Sequence, residues 1–368
     1  MYGRGRNILP MTGFIMLTIL LLGGFALAKN TRARKLLDEY KTTTSKQNQD
    51  NNPMFDFIRK GVMLDKYTVD ESAELSADGI DKITITSVCS DLNIYYGGTN
   101  KIDVKYYGSV QSDEKEKTPY LEVDKWGREA IIRIKYPAWN NISYYEQTTL
   151  DVIIPDNLTC DLDLRNTSGS ISAEELKGGN ISISTVSGAI SPMRISGEVI
   201  ELKSTSGSVT VGKINASGKF SFNAISGKCI IGSIDCKEAD LKSTSGEINF
   251  SDVSSDEIFA KSISGNIDLV LKRGNADIET SSGKIKAKFA DRFDKLKIKS
   301  ISGKVTLSIP ESSQFDAEIH TVSGKISCSD FSMQISSSGM NILKATVGNG
   351  DSRVDINTAS GDVEIIKN

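Results

Sequence analysis

The chain has 368 residues, with 44 Lys and Arg against 47 Asp and Glu, one His, seven Pro and two Trp. A single histidine disfavours histidine-based catalysis, and a net charge of −3 disfavours a general nucleic-acid binder, which needs a basic surface for phosphate. Five cysteines, an odd number at wide spacings, make neither a disulfide-dense framework nor a CxxC metal site, so no metal or cofactor is expected.

Residues 1–7 read as a basic tail and residues 8–28 as a transmembrane helix. Ile8 to Ala28 is uncharged and about as long as a helix needs to cross the hydrocarbon. Arg4 and Arg6 precede it, and Lys29, Arg32, Arg34 and Lys35 follow, so the remaining 38 positive and 47 negative side chains leave the rest of the chain at −9. Two fates stay open. Ala26-Leu27-Ala28 has the form of a signal-peptidase site, whereas the basic cluster after it resembles the flank of a retained anchor. The charge count alone, four after the span and two before, would put the following chain in the cytoplasm.

Residues 29–64 read as a juxtamembrane helix and polar linker. Lys41 to Pro53 is turn-rich, and Met54, Phe55, Ile58 and Val62 fall at helical spacing, as in a short capping helix or an interfacial one. Residues 65–155 form an aromatic-rich β region of short alternating strands such as Lys82-Ile83-Thr84-Ile85-Thr86. All eleven tyrosines and both tryptophans lie at or before Tyr145.

Residues 156–368 repeat. Ser-Gly marks the phase at Gly169, Gly188, Gly207, Gly227, Gly246, Gly265, Gly283, Gly303, Gly324 and Gly361, with steps of 18 to 21 residues and a last step of 37. Positions seven and five before each glycine, and two and four after it, hold no polar residue. Period-two alternation on both sides of a glycine predicts strand, tight corner, strand, with one face buried. Stacked rungs of about 19 residues then give an all-β parallel β-helix, a β-solenoid roughly 50 Å long. Glycine suits the corner because a sharp bend needs positive φ or close backbone approach. The serine before it is expected to point inward as a stacked hydroxyl ladder. Ser90 fits the glycine slot of an earlier, irregular rung, and Ile154-Pro155 and Ile309-Pro310 stand at equivalent distances before Gly169 and Gly324.

The outward columns carry what chemistry there is. Acids stand six before the glycine (Asp163, Glu201, Asp240, Asp277) and bases four before it (Arg165, Lys203, Lys242, Lys261, Lys299), the pattern of a solvated, aggregation-resistant face. Lys284, Lys304 and Lys325 follow three successive late glycines and are a candidate contact for an anionic wall polymer or lipid headgroup. Trp126, Trp139, Tyr144 and Tyr145 are a candidate aromatic binding surface, against the plainer role of capping the solenoid. His320 falls in the outward basic column. Cys229 and Cys328 read as buried apolar groups, and Cys160 and Cys236 as thiols or one disulfide. The acids are spread one per rung, so no catalytic residue is assigned.

Units such as Ser243-Thr244-Ser245-Gly246-Glu247-Ile248 and Ser300-Ile301-Ser302-Gly303-Lys304-Val305 resemble the bacterial "putative adhesin" family of β-strand-repeat proteins, the toast-rack domains, over about residues 80–368. The resemblance implies a membrane-tethered module outside the cytoplasm, without catalysis, serving in adhesion, ligand binding or envelope-stress sensing. The partners it implies are the membrane, through the N-terminal helix, and a cell-wall polymer or envelope protein. It also sets the expected localisation, a single-pass protein of the cell membrane with the solenoid extracytoplasmic. The rival readings are a cytoplasmic, membrane-attached scaffold that polymerises end to end like the bactofilins, and a wall-polysaccharide-active enzyme.

Overall fold

A strand with one apolar face stays exposed until something pairs its edges, and in this chain the partner is the next copy of the repeat. The computed structural model describes residues 65–368 apart from 99, 113, 138–144, 292 and 329. Leu64–Asn368 form one compact unit. Before the corner, Ile183 faces Leu202, then Phe222, Leu241, Ala260, Ile278 and Ile298 in parallel register. After it, Val209 faces Cys229, then Ile248, Ile267, Ile285 and Val305. In the middle rungs a third run closes each turn with the buried residues Leu176, Ile195, Ile214, Ile234, Val253 and Leu271. Of the forty apolar column positions, all are buried except Ala173 and Ile326, which are half-buried. Each buried Leu, Ile or Phe contributes about 1.5–3 kcal/mol.

The corner differs from expectation in which residue turns inward. The two residues before the glycine both face out, and the one three before it points in. That inward column is Asn166, Thr185, Ser204, Ala224, Ser243, Ser262, Thr280, Ser300, Thr321 and Thr358, all buried except half-buried Ala224. Its hydroxyls close the bend: the Gly188 and Gly265 N–H groups each donate to Thr185 Oγ1 and Ser262 Oγ at 2.9 Å. Ser204 and Ser243 donate to the Gly207 and Gly246 carbonyls at 2.7 and 3.0 Å. The serine next to the glycine sits outside instead, where Ser168, Ser302 and Ser360 donate to a carbonyl of the adjoining rung at 3.0, 3.3 and 3.3 Å. The parity change takes up two residues, so the hydroxyl ladder lies two positions earlier than the repeat marker.

The glycines are required by close approach. At every Ser-Gly corner a Cβ would come under 3.0 Å from the carbonyl oxygen of the corner one rung away, and the chain of such contacts begins at Ser90. Positive φ contributes at one of them, Gly227, at +102°.

Chain order and spatial order part at both ends. The Lys82–Thr86 strand lies between Glu129–Lys135 and Asp161–Asn166, and Asp91–Tyr96 lies between Tyr145–Ile154 and Ile171–Ala173. At the other end, Ser352–Thr358 inserts between Lys295–Ser300 and Phe315–Thr321, and Val363–Lys367 between Val305–Ile309 and Ile326–Ser327. The Gly361 rung thus sits between the Gly303 and Gly324 rungs. Antiparallel strands close both ends, which a purely parallel β-helix would lack. Lys101–Ser112 pairs with Tyr145–Ile154 and Tyr120–Trp126 with Glu129–Lys135 at one end, and Ile342–Val347 pairs with Phe315–Thr321 at the other. Pro155 and Pro310 do open equivalent turns, accepting at 3.0 Å from the N–H groups of Leu158 and Ser313.

Two expectations are corrected. The helix read over residues 8–28, and the single-pass membrane localisation built on it, find no support: the span lies outside the described residues, and among the described residues no helix is long and apolar enough to cross a membrane. The one described helix is the 3-10 turn Lys115–Lys117. The cysteines are all free, so Cys160 and Cys236 form no disulfide.

Replacing Ser243 by Ala is expected to cost about 1 kcal/mol, while Ser245→Ala stays within about 0.5 kcal/mol. Gly246→Ala should cost about 1–3 kcal/mol, because the backbone on the adjoining rung must move. Chemical denaturation of the three variants measures this order. Truncation after Gly350 is expected to lower hydrogen-exchange protection in both Lys295–Ser300 and Phe315–Thr321, since the inserted strand pairs with one edge of each.

Candidate binding face

Strand alternation puts every second side chain outward, so the acidic and basic columns lie side by side on one face. They neutralise each other. Lys203 reaches Glu201 at 2.7 Å and Lys242 reaches Asp240 at 2.8 Å within a rung, and Lys261 reaches Glu279 at 2.8 Å between rungs. His320, half-exposed, lies 3.2 Å from Glu318. Exposed pairs of this kind are worth about 0–1 kcal/mol each, so they keep the face soluble more than they hold the fold. Among the described residues, no group of three or more His, Cys, Asp or Glu could hold a metal ion.

The late lysine column does not survive folding as a column. Because the Gly361 rung is inserted, Asp362 stands between Lys304 and Lys325, and its carboxylate accepts from the Lys325 N–H at 2.8 Å. Lys304 is tied to Glu364 at 2.8 Å. Lys284 keeps its place beside Lys304, but the candidate contact with an anion is reduced to these two. The corner glycines Gly169, Gly188, Gly207, Gly246, Gly265, Gly283, Gly303 and Gly361 are buried, and Gly227 and Gly324 half-buried.

Of the candidate aromatic surface, Trp126 ends the Tyr120–Trp126 edge strand and is 80% exposed. Tyr145 begins the Tyr145–Ile154 strand, and Trp139 and Tyr144 lie outside the described residues. The other aromatics of this region divide: Tyr95, Tyr107 and Tyr120 are exposed, whereas Tyr106, Tyr96 and Tyr136 are wholly or partly buried. Tyr106 is fully buried. Its hydroxyl and that of Tyr136 donate to the Glu146 carboxylate at 3.2 and 3.1 Å, joined by Ser90 at 3.0 Å and by Thr148.

Along one edge of the face runs a groove of about 500 Å³ that crosses the Ser90 to Gly227 rungs. Arg165 and Lys203 line one wall, Val186 and Ile225 the other, with Asn166, Thr185 and Ser204 between them. Among the described residues, Asn166 Oδ1 is the buried side-chain oxygen left without a hydrogen-bond partner, while its Nδ2 donates to Ser90 O at 2.8 Å.

The apolar wall belongs to a longer row that the sequence reading missed. Two residues before each corner, Val88, Val186, Ile225, Ile263, Ile301 and Val322 are exposed, Val322 at 72%. Between them in space stand Thr167, Thr205, Thr244, Ser281 and Ala359. Large and small alternate without a break over eleven rungs, but only in spatial order, because Ala359 comes between Ile301 and Val322 through the inserted strand. The signal lay in the variable residue before each Ser-Gly pair from Thr167 to Ile301.

The family model described as Toastrack DUF4097 matches residues 80–218 and 212–366. No curated protein matches the sequence. Among solved structures, a "putative adhesin" from Parabacteroides merdae is 16% identical, with 65% of this chain and 95% of that one covered and a TM-score of 0.47. A "putative lipid binding protein" from Parabacteroides distasonis is 20% identical, with 65% and 96% covered and a TM-score of 0.48. Neither likeness is close enough to carry an argument about function.

Burial raises the phenol pKa of Tyr96, Tyr106 and Tyr136 well above its ordinary value, and for the latter two the Glu146 charge adds to it. A group raised on folding contributes stability below its unfolded pKa, about 10 for tyrosine, and loses it as pH rises beyond that. Phenolate absorbance on alkaline titration should therefore show these three ionising only together with loss of β-sheet circular dichroism.

Proposed function

This chain belongs to the Toastrack family, and on that footing we propose that it is a non-catalytic binding module of the adhesion type whose ligand is an extended anionic polymer laid along the groove. The observation that carries the reading is the groove itself. Arg165 and Lys203 stand on its wall with their charged ends outward, each held upright by the acid two residues before it, at 2.5 and 2.7 Å. Outward-facing Thr167, Ser184, Thr205 and Asn223 add hydroxyl and amide groups to the walls, and the groove crosses the rungs, so successive positions repeat at about 4.8 Å. Two cations, neutral hydrogen-bonding groups and an apolar wall suit a polymer of alternating charge and hydroxyl better than a compact metabolite.

Catalysis finds less support, since the outward acids are taken up one by one in ion pairs with neighbouring lysines and arginines. End-to-end polymerisation is disfavoured by the antiparallel strands that close the parallel stack, because a growing filament needs an open, matching edge.

The test is equilibrium binding of polygalacturonate and poly-glutamate, with neutral dextran as control. The full chain is expected to bind the anionic probes, and Arg165→Ser with Lys203→Ser to weaken binding about tenfold or more. Equal binding by the double variant, or hydrolysis of the polymer, would remove the reading.

A further inference from the structure

The apical row, the line of exposed Val and Ile two residues before alternate corners, is a feature that neither the fold nor the groove uses in full. A corner residue that faces water has no packing reason to be Val or Ile, and six of them in line mark an interaction surface. Their alternation says more. Exposed large side chains stand about 10 Å apart with a small residue in each gap, so the row is a set of knobs and notches with the rung spacing of about 4.8 Å as its unit. A fluid surface has no use for such a pattern. A helix, with a pitch of about 5.4 Å, drifts by about 6 Å over eleven rungs, more than half the spacing between notches, so its side chains run from notch to knob. A second stack of β-rungs keeps register along the whole length.

We propose that, with the groove empty, this edge docks against the same edge of a second copy of the chain, the two rods antiparallel, so that each large residue from Val88 to Ile301 enters a notch of the partner; a polymer in the groove competes with the partner for Val186 and Ile225. A two-fold axis between the Ile225 and Thr244 rungs achieves this: Ile225 meets Thr244 of the partner subunit, Ile263 the partner's Thr205, and Ile301 the partner's Thr167. Such a contact is isologous and closes at two copies. The strip is about 50 Å long and about 12 Å wide, roughly 600 Å² per copy, which puts the total at the lower end of what specific dimers bury.

The flanking charges set its salt dependence. In this arrangement Lys228 lies opposite the partner's Glu247, but Arg165 lies opposite the partner's Lys299 and Lys203 opposite the partner's Lys261. All six are already ion-paired within their own copy. Screening relieves the residual repulsion and leaves the apolar contact intact, so the dimer tightens as salt rises.

Sedimentation velocity of the full chain over about 1–200 μM reads the outcome. A concentration-dependent dimer is expected, stronger at high salt, and weakened about tenfold or more by Ile225→Lys with Ile263→Lys while circular dichroism and melting stay unchanged. The decisive variant is Thr205→Ile with Thr244→Ile, which makes the edge more apolar but fills its notches: it too should weaken the dimer. Monomer at every concentration, or a dimer indifferent to the lysine variant, overturns the proposal. So does a dimer tightened by the isoleucine variant. Flotation with anionic phosphatidylserine and phosphatidylcholine vesicles that the isoleucine variant strengthens would give the edge to a lipid surface instead, and equally overturn it.

Discussion

The approach of one backbone to the next at the corner governs the rest of the structure. Each turn brings the Cα of its corner residue so close to a carbonyl of the adjoining rung that no Cβ fits, and the chain answers with glycine at every Ser-Gly corner. With the corners stacked, the strands before and after them fall into parallel register, and the same four column positions are buried rung after rung. The buried Thr or Ser three residues earlier completes the bend by bonding the glycine's own N–H or carbonyl. The outer surface inherits this regularity. It is a set of straight columns whose members come from residues about 19 apart in sequence.

A stack of identical parallel rungs would expose matching edges at both ends. Here the ends are finished by rearranging the order of the rungs. At each end, strands near one extremity of the solenoid slip in between two later or earlier turns, and antiparallel strands cover what remains. The rearrangement also reshapes the surface. It separates Lys304 from Lys325 by Asp362, and it places Ala359 between Ile301 and Val322. One candidate charge column is broken by this order, and the large-and-small alternation of the apical row is completed by it.

The repeat, the buried columns and the place of Ser90 as an early corner were legible because burial on one face of a strand leaves a period-two pattern that local sequence preserves. Which serine turns inward was less so. The alternation had to break somewhere near the glycine, and the hydroxyls of Ser243 and Ser245 are chemically alike, so only the geometry of the bend separates them. The order of the end rungs was hidden for a different reason. Strand pairing between Ser352–Thr358 and two distant strands is a long-range fact, and the sole trace of it in the sequence is the double interval from Gly324 to Gly361. The groove was half legible: Arg165 and Lys203 were read as an outward column, but the apolar wall of Val186 and Ile225, two residues before the glycine, was not read at all.

The insertion of the Gly361 rung is the point on which the surface account turns, and paired cysteines test it directly. A disulfide needs Cα atoms about 4.4–6.8 Å apart, which adjacent rungs at about 4.8 Å provide and rungs two apart do not. Mild oxidation should therefore join Ile301→Cys to Ala359→Cys and leave Ile301→Cys with Val322→Cys unjoined. The reverse pattern would show rungs stacked in chain order and contradict the account.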